Sequence, residues 1–186
     1  MSKLVQNSND TDKIKKMVLA ALFAALIAVG AYIKIPLPLG VPISLQTFFV
    51  LLAVIILGRN WGTVSVIVYL LVGFIGFPVF AGGNSGLGIL LGPTGGYLYA
   101  YVIIAFLVGS LSEKMQKKTP IGIFSITALG SLLILLIGTI HLAVSSQLPL
   151  STAFFGGFAP FILGDMIKCA AVGLIAPPLI AKINFR

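Results

Sequence analysis

The sequence predicts an all-α integral membrane protein of six transmembrane helices with both termini in the cytosol, and three observations lead there. Of 186 residues, 59% are hydrophobic and only 9% charged, whereas soluble chains carry about a quarter charged residues. The apolar runs approach the ~20 residues needed to cross a hydrocarbon core. The basic residues cluster at alternate ends of those runs. Lys3, Lys13, Lys15, Lys16, Arg59, Lys114, Lys117, Lys118, Lys182 and Arg186 fall on one side, and Lys34 alone on the other. That asymmetry makes the terminal side cytosolic. It also accounts for the net charge of +8 without a nucleic-acid-binding stripe, so no nucleic-acid partner is expected.

Residues 1–16 read as a polar cytosolic leader and 17–186 as a single six-helix membrane domain. Val29-Gly30-Ala31 resembles a signal-peptidase site only weakly, and Asp10 and Asp12 interrupt the basic leader that such a signal needs. Span 1 covers about 17–33. Its alanines at 20, 21, 24, 25 and 28 recur at three- and four-residue spacing, leaving a smooth helix surface on which another backbone can sit closely. This surface serves either packing within the bundle or docking of another membrane protein. Pro36, Pro38 and Pro42 then rule out a regular helix and predict a stiff extended link. Span 2 (43–57) and span 3 (63–75) flank the turn Gly58-Arg59-Asn60-Trp61-Gly62.

The uncharged stretch from Gly76 to Tyr97 is the longest irregular segment. It is expected to be a long Gly-rich outward loop capping a pocket, because irregular backbone at membrane depth persists only where it is buried in protein or lines a cavity. Span 4 (96–111), a basic turn, span 5 (123–144) and a short link at 145–151 follow. Span 6 covers 153–180, with a bend expected at Pro160 and an end at Pro177-Pro178. The halves show no obvious repeat, which argues against a carrier built from inverted repeats. The single cysteine, Cys169, excludes an internal disulfide.

Asp165 and Lys168 are the only ionisable pair inside an apolar run. A charge in a bilayer is costly unless paired or turned to a polar cavity, and marks a functional site by default. Three residues apart, the two share a helix face. They offer one acceptor and one donor to a compact polar group such as a cyclic urea. Ser44, Gln46, Thr47, Asn84, Thr94 and Tyr97 lie at outward helix ends, where spans 2, 4 and 6 can meet. Gln46, Asn84 and Tyr97 are the preferred ligand contacts among them. Phe77, Phe80 and Tyr99 are candidate walls, although core packing is the commoner role for any one of them.

Two other chemistries have to be weighed. Gly83-Asn84-Ser85-Gly86 matches the Gly-x-Ser-Gly signature of rhomboid intramembrane proteases, with His141 as the base. Other rhomboid polar motifs are missing, and His141 lies on span 5 rather than the last span. A self-sufficient proton-coupled carrier would use Asp165 as its proton site. The Gly-rich loop is not a phosphate cradle, because no Lys-Ser or Lys-Thr closes it.

Val41-Pro42-Ile43-Ser44-Leu45-Gln46-Thr47, Gly76-Phe77-Pro78-Val79-Phe80, Gly92-Pro93-Thr94-Gly95-Gly96-Tyr97 and Gly164-Asp165 with Lys168 resemble the BioY family. These are the biotin-specific substrate-binding (S) components of energy-coupling-factor transporters. The resemblance implies a non-catalytic subunit that captures biotin at the outer leaflet, under the loops joining spans 1–2, 3–4 and 5–6, and reorients to release it inward. Biotin is then ligand and cargo, and no cofactor is implied. The implied partners are a transmembrane T component, contacted by the small-residue face of span 1 (Ala20, Ala21, Ala24, Ala25, Ala28), and two cytosolic ATPases. The residues expected to bind substrate, on the reading of the residues and the resemblance together, are Asp165, Lys168, Asn84, Gln46, Tyr97, Ser85 and Thr47. Asp165 and Lys168 are expected to grip the ureido ring, with the carboxylate on Asn84, Ser85 or backbone N–H groups. The rival assignment stretches Lys168 to the carboxylate.

Overall fold

A computed structural model describes residues 2–37 and 41–183. Pro38, Leu39, Gly40 and Arg186, and the side chain of Lys3, lie outside the described residues. Among the described residues, five helical stretches are long and apolar enough to cross a membrane: Asp10–Tyr32, Gln46–Phe74, Gly95–Lys114, Pro120–Ser145 and Leu150–Ile183. Large apolar side chains face outward along them, among them Leu22, Val29, Leu71, Phe106, Leu136 and Leu174. So much exposed apolar surface suits a lipid surround rather than water.

Helix α1 (Ser2–Tyr32) runs unbroken through the expected leader boundary at residue 16. Ala20 and Ala24 turn inward and are buried with Phe23 and Ile27, whereas Ala21 and Ala25 face outward and Ala28 is half-buried. Neighbouring positions on a helix point about 100° apart, so the five alanines do not form one face. Ala20 and Ala24 are bundle packing, which corrects their expected place on a docking surface. After α1 the chain extends as β1 (Lys34–Ile35), which pairs antiparallel with β2 (Ile43–Ser44). The proline-bearing link is therefore closed at its base by a two-residue ladder.

Helix α2 (Gln46–Phe74) is broken at Gly58, whose φ of 77° and ψ of −175° are non-helical. The two arms fold back on each other. Gln46 hydrogen-bonds Tyr69, which would lie more than 30 Å away along a straight helix. Gly62 packs so closely on Val54 that a Cβ there would sit 2.6 Å from the Val54 Cα. The first arm is the centre of the bundle, since every residue from Val50 to Leu57 is buried. A helix apolar on all faces belongs inside. Its far end is held by the last turn of α4 (Gly95–Lys114) and the turn after it: Glu113 Oε1 accepts from the Arg59 N–H at 2.8 Å, and Lys118 donates to the Ile55 carbonyl at 3.0 Å. Burial lowers the Lys118 pKa, partly opposed by Glu113. Gly58→Ala is expected to lower the melting temperature by several degrees, because that backbone conformation is essentially restricted to glycine and forcing it costs about 1–3 kcal/mol. A new Cβ would also meet Glu113. Thermal denaturation in detergent checks it.

The segment 76–97 is ordered. Phe80 and Asn84 form a bridge around Gly82 and Gly83, both with positive φ, and a short helix α3 (Leu87–Leu91) follows. Tyr32 hydrogen-bonds the Pro78 carbonyl, tying this loop to the end of α1. Helix α5 (Pro120–Ser145) starts with Thr119 as its N-cap and Pro120 in the first turn, where proline is favoured.

The last expected span is two helices, α6 (Leu150–Gly157) and α7 (Ala159–Ile183), broken at Phe158 rather than bent at Pro160. Pro160 falls in the first turn of α7, where its missing donor costs nothing. Continuing α6 through it would drive its ring against a carbonyl of the preceding turn. The expected stop at Pro177-Pro178 does not occur, and α7 continues to Ile183. Membrane helices tolerate such prolines where neighbouring groups satisfy the freed carbonyls. Ile183 lies in a groove with Lys15 and Val18, so the start of α1 and the end of α7 meet at one end of the bundle.

Candidate functional site

At the opposite end from those helix termini, the first arm of α2 and helices α4, α5 and α7 enclose a cavity of about 270 Å³ beneath the β1–β2 link and the 76–97 segment. Its depth is set by α7, where Asp165 and Lys168 lie one turn apart and are 1% and 8% exposed. Lys168 Nζ donates to Asp165 Oδ1 at 2.8 Å, and Ser131 Oγ on α5 donates to Asp165 Oδ2 at 2.6 Å. Both carboxylate oxygens thus have internal partners. An ammonium has three N–H donors, so Lys168 keeps donor capacity for a ligand.

The first turn of α2 supplies a second polar side. Gln46 Oε1 accepts from Ser44 Oγ at 2.9 Å, and Gln46 Nε2 donates to Tyr69 Oη at 2.6 Å. These two bonds hold the amide in place between α2's two arms. Thr47 Oγ1 lies 3.5 Å from Tyr101 Oη. Tyr97 Oη donates to the Gly157 carbonyl at 2.8 Å and lies 3.2 Å from Thr139 Oγ1. Its hydroxyl is committed to helix packing, and its ring, stacked near Phe161, forms the wall. Gly138 makes room for that ring, since a Cβ there would overlap it. At the mouth, Asn84 lines the cavity, and its Nδ2 donates to the Ala81 carbonyl at 2.8 Å.

Asp165, Lys168, Gln46, Thr47, Asn84 and Tyr97 therefore share one cavity, together with Ser44 and Thr94. Ser85 does not line it. It sits just past the Phe80–Asn84 bridge, and Phe80, Ala81 and Asn84 are the residues of this turn that line the cavity. Phe80 is a wall as expected, but Phe77 is 59% exposed and Tyr99 points its hydroxyl at the Leu90 carbonyl. Neither lines the cavity, and Phe161, Leu98, Ile134 and Leu135 complete the apolar walls. The sequence reading missed Tyr101, Tyr69 and Ser131.

His141 Nε2 lies 3.1 Å from the Gly92 carbonyl, and its ring packs edge-on against Tyr99. Among the described residues no hydrogen bond joins it to Ser85, so a nucleophile–base pair is not assembled. The cavity instead combines apolar walls with a few fixed donors and acceptors, the usual make-up of a small-molecule site.

The model of the BioY family matches residues 1–185 of the chain. A "Biotin transporter BioY" of Thermotoga maritima is 39% identical over 163 residues, covering 88% of this chain and 94% of its own. A "Probable biotin transporter BioY" of Pyrococcus horikoshii is 40% identical over 167 residues, covering 90% and 97%. Among solved structures, the crystal structure of the S-component for biotin from an ECF-type ABC transporter superposes with a TM-score of 0.87 at 32% identity, covering 95% of this chain and 98% of that one.

Proposed function

The chain belongs to the BioY family, and from that premise we propose that it is the biotin-binding S component of an ECF-type importer: a multi-pass membrane subunit, not an enzyme, that captures biotin on the outer side. The observation that carries the reading is the buried Asp165–Lys168 pair at the base of an apolar-walled cavity. A ureido ring matches it, with N–H groups for carboxylate acceptors and a carbonyl for the spare lysine donors. The thioether ring and alkyl tail suit Phe80, Leu98 and Phe161. Titrating the purified chain with labelled biotin, against other vitamins as competitors, tests the proposal. A folded wild type that does not bind biotin would sink it.

The finer reading is six spans, counting the arms of α2 separately, with both termini cytosolic. The clustering of basic residues at the end where α1 begins and α7 finishes supports it. The chain carries no nucleotide-binding motif, so accumulation against a gradient calls for a T component and two ATPases. Ala21 and Ala25 are the span-1 alanines left facing outward for such a partner. Ala21→Leu with Ala25→Leu is expected to lower biotin uptake in cells at least about fivefold while leaving biotin binding by the isolated chain unchanged, because bulk on a small-residue face blocks close helix approach. Equal uptake by the variant and wild type counts against this docking face.

Tyr97→Phe is expected to weaken biotin about fivefold. It removes the bond to Gly157 that holds the ring as a wall, an interaction of about 1 kcal/mol. The same titration reads it.

A further inference from the structure

We infer that Ser131 is a positioning residue for the ligand site, acting through Asp165 to aim the Lys168 ammonium into the cavity. This rests on the biotin-binding reading. Ser131 is fully buried on α5 and does not itself line the cavity. Its hydroxyl donates to Asp165 Oδ2 from the neighbouring helix, while Lys168 reaches Oδ1 from the same helix as Asp165. The two donors grip opposite oxygens. A carboxylate held at one oxygen only is free to turn about its terminal torsion, which is broad for aspartate. With Ser131 holding Oδ2, Oδ1 has one place to be, and the lysine that follows Oδ1 has one direction to point.

The alternative partner for Ser131 is its own helix. A mid-helix serine ordinarily bonds the carbonyl four residues back. Ser125 and Ser110 do so here, to Ile121 and Phe106. Ser131 instead spends its donor across the α5–α7 interface. A helix-satisfied hydroxyl would leave Asp165 anchored by Lys168 alone. Through this bond, the ligand site depends on the spacing of two helices that meet outside the cavity.

The test is a double-mutant cycle read by titration with labelled biotin in detergent, using wild type, Ser131→Ala, Asp165→Asn and the double variant. Ser131→Ala is expected to weaken biotin about tenfold, the usual size for a lost hydrogen bond to a charged group. In the Asp165→Asn background the same change is expected to cost less than about twofold, because the neutral amide no longer holds the Lys168 ammonium that Ser131 helps to aim. An unchanged affinity in Ser131→Ala overturns the inference. So does an equal loss in both backgrounds, which would mean that Ser131 only supports helix packing. Absence of biotin binding by the wild type overturns the functional reading, and the inference with it, and is distinguished because it appears before any substitution is compared.

Discussion

Asp165→Ala is expected to weaken biotin binding by at least about a hundredfold. On the proposed pose, two ureido N–H bonds to a charged acceptor are worth about 3–6 kcal/mol together, each 1.4 kcal/mol is a factor of ten in affinity, and the partner charge left uncompensated destabilises the fold besides. The uncompensated group is the Lys168 ammonium, 8% exposed in a helix that would face lipid if it turned outward. Without Oδ1 to hold it, the lysine's long side chain seeks another acceptor and leaves the cavity base. The Ser131 hydroxyl loses its partner at the same time. Asp165→Asn keeps the shape and one acceptor and is expected to lie between, near tenfold. Removing both charges, as Asp165→Ala with Lys168→Met, is expected to restore the melting temperature of the ligand-free protein toward wild type without restoring binding, since the stranded charge is then gone. Labelled-biotin titration and detergent melting curves on the same preparations separate the two effects. Asp165→Ala binding biotin within about threefold of wild type would remove the pair from the site.

The pair was legible in the sequence because a charge inside an apolar run has few structural excuses. Ser131 was not, although it touches the same carboxylate. Nothing in a lone serine within an apolar helix tells whether its hydroxyl turns back to its own backbone, as at Ser125, or across to a neighbour. Tyr69 and Tyr101 were hidden for the same reason, as aromatic residues in membrane helices whose hydroxyl partners come from residues 23 and 54 positions away. Polar residues at the start of α2 could be placed because the Pro-rich link fixes where that helix begins. The loop aromatics could not be sorted. Phe77, Phe80 and Tyr99 look alike in sequence, and only packing on Gly73 turns Phe80 inward. The alanines of α1 illustrate the limit of periodicity. Spacings of three and four name a helix, but residues 20 and 21 sit on different sides of it, and which side meets α2 is decided by tertiary packing.

Lys168→Ala is expected to weaken biotin and biotin methyl ester by the same factor, between about tenfold and a hundredfold, on the proposal that the lysine reads the ureido ring and not the acid. The argument is one of charge. The cavity base already holds one carboxylate and one ammonium 2.8 Å apart. A neutral urea adds donors and an acceptor and leaves that balance unchanged. A ligand carboxylate set against Lys168 would crowd a second negative charge beside Asp165, with no second cation among the cavity-lining residues to offset it. The acid fits better toward the mouth, near Asn84 and the glycine turns, where water screens it. The ester is therefore expected to bind wild type within about tenfold of biotin. If Lys168→Ala instead costs the acid far more than the ester, the lysine holds the carboxylate. The ligand then lies the other way round, with its ureido ring against Gln46 and the loop. Titrating both ligands against wild type and Lys168→Ala gives four affinities. Their ratio of ratios is independent of any general loss of fold in the variant, since such a loss affects acid and ester alike.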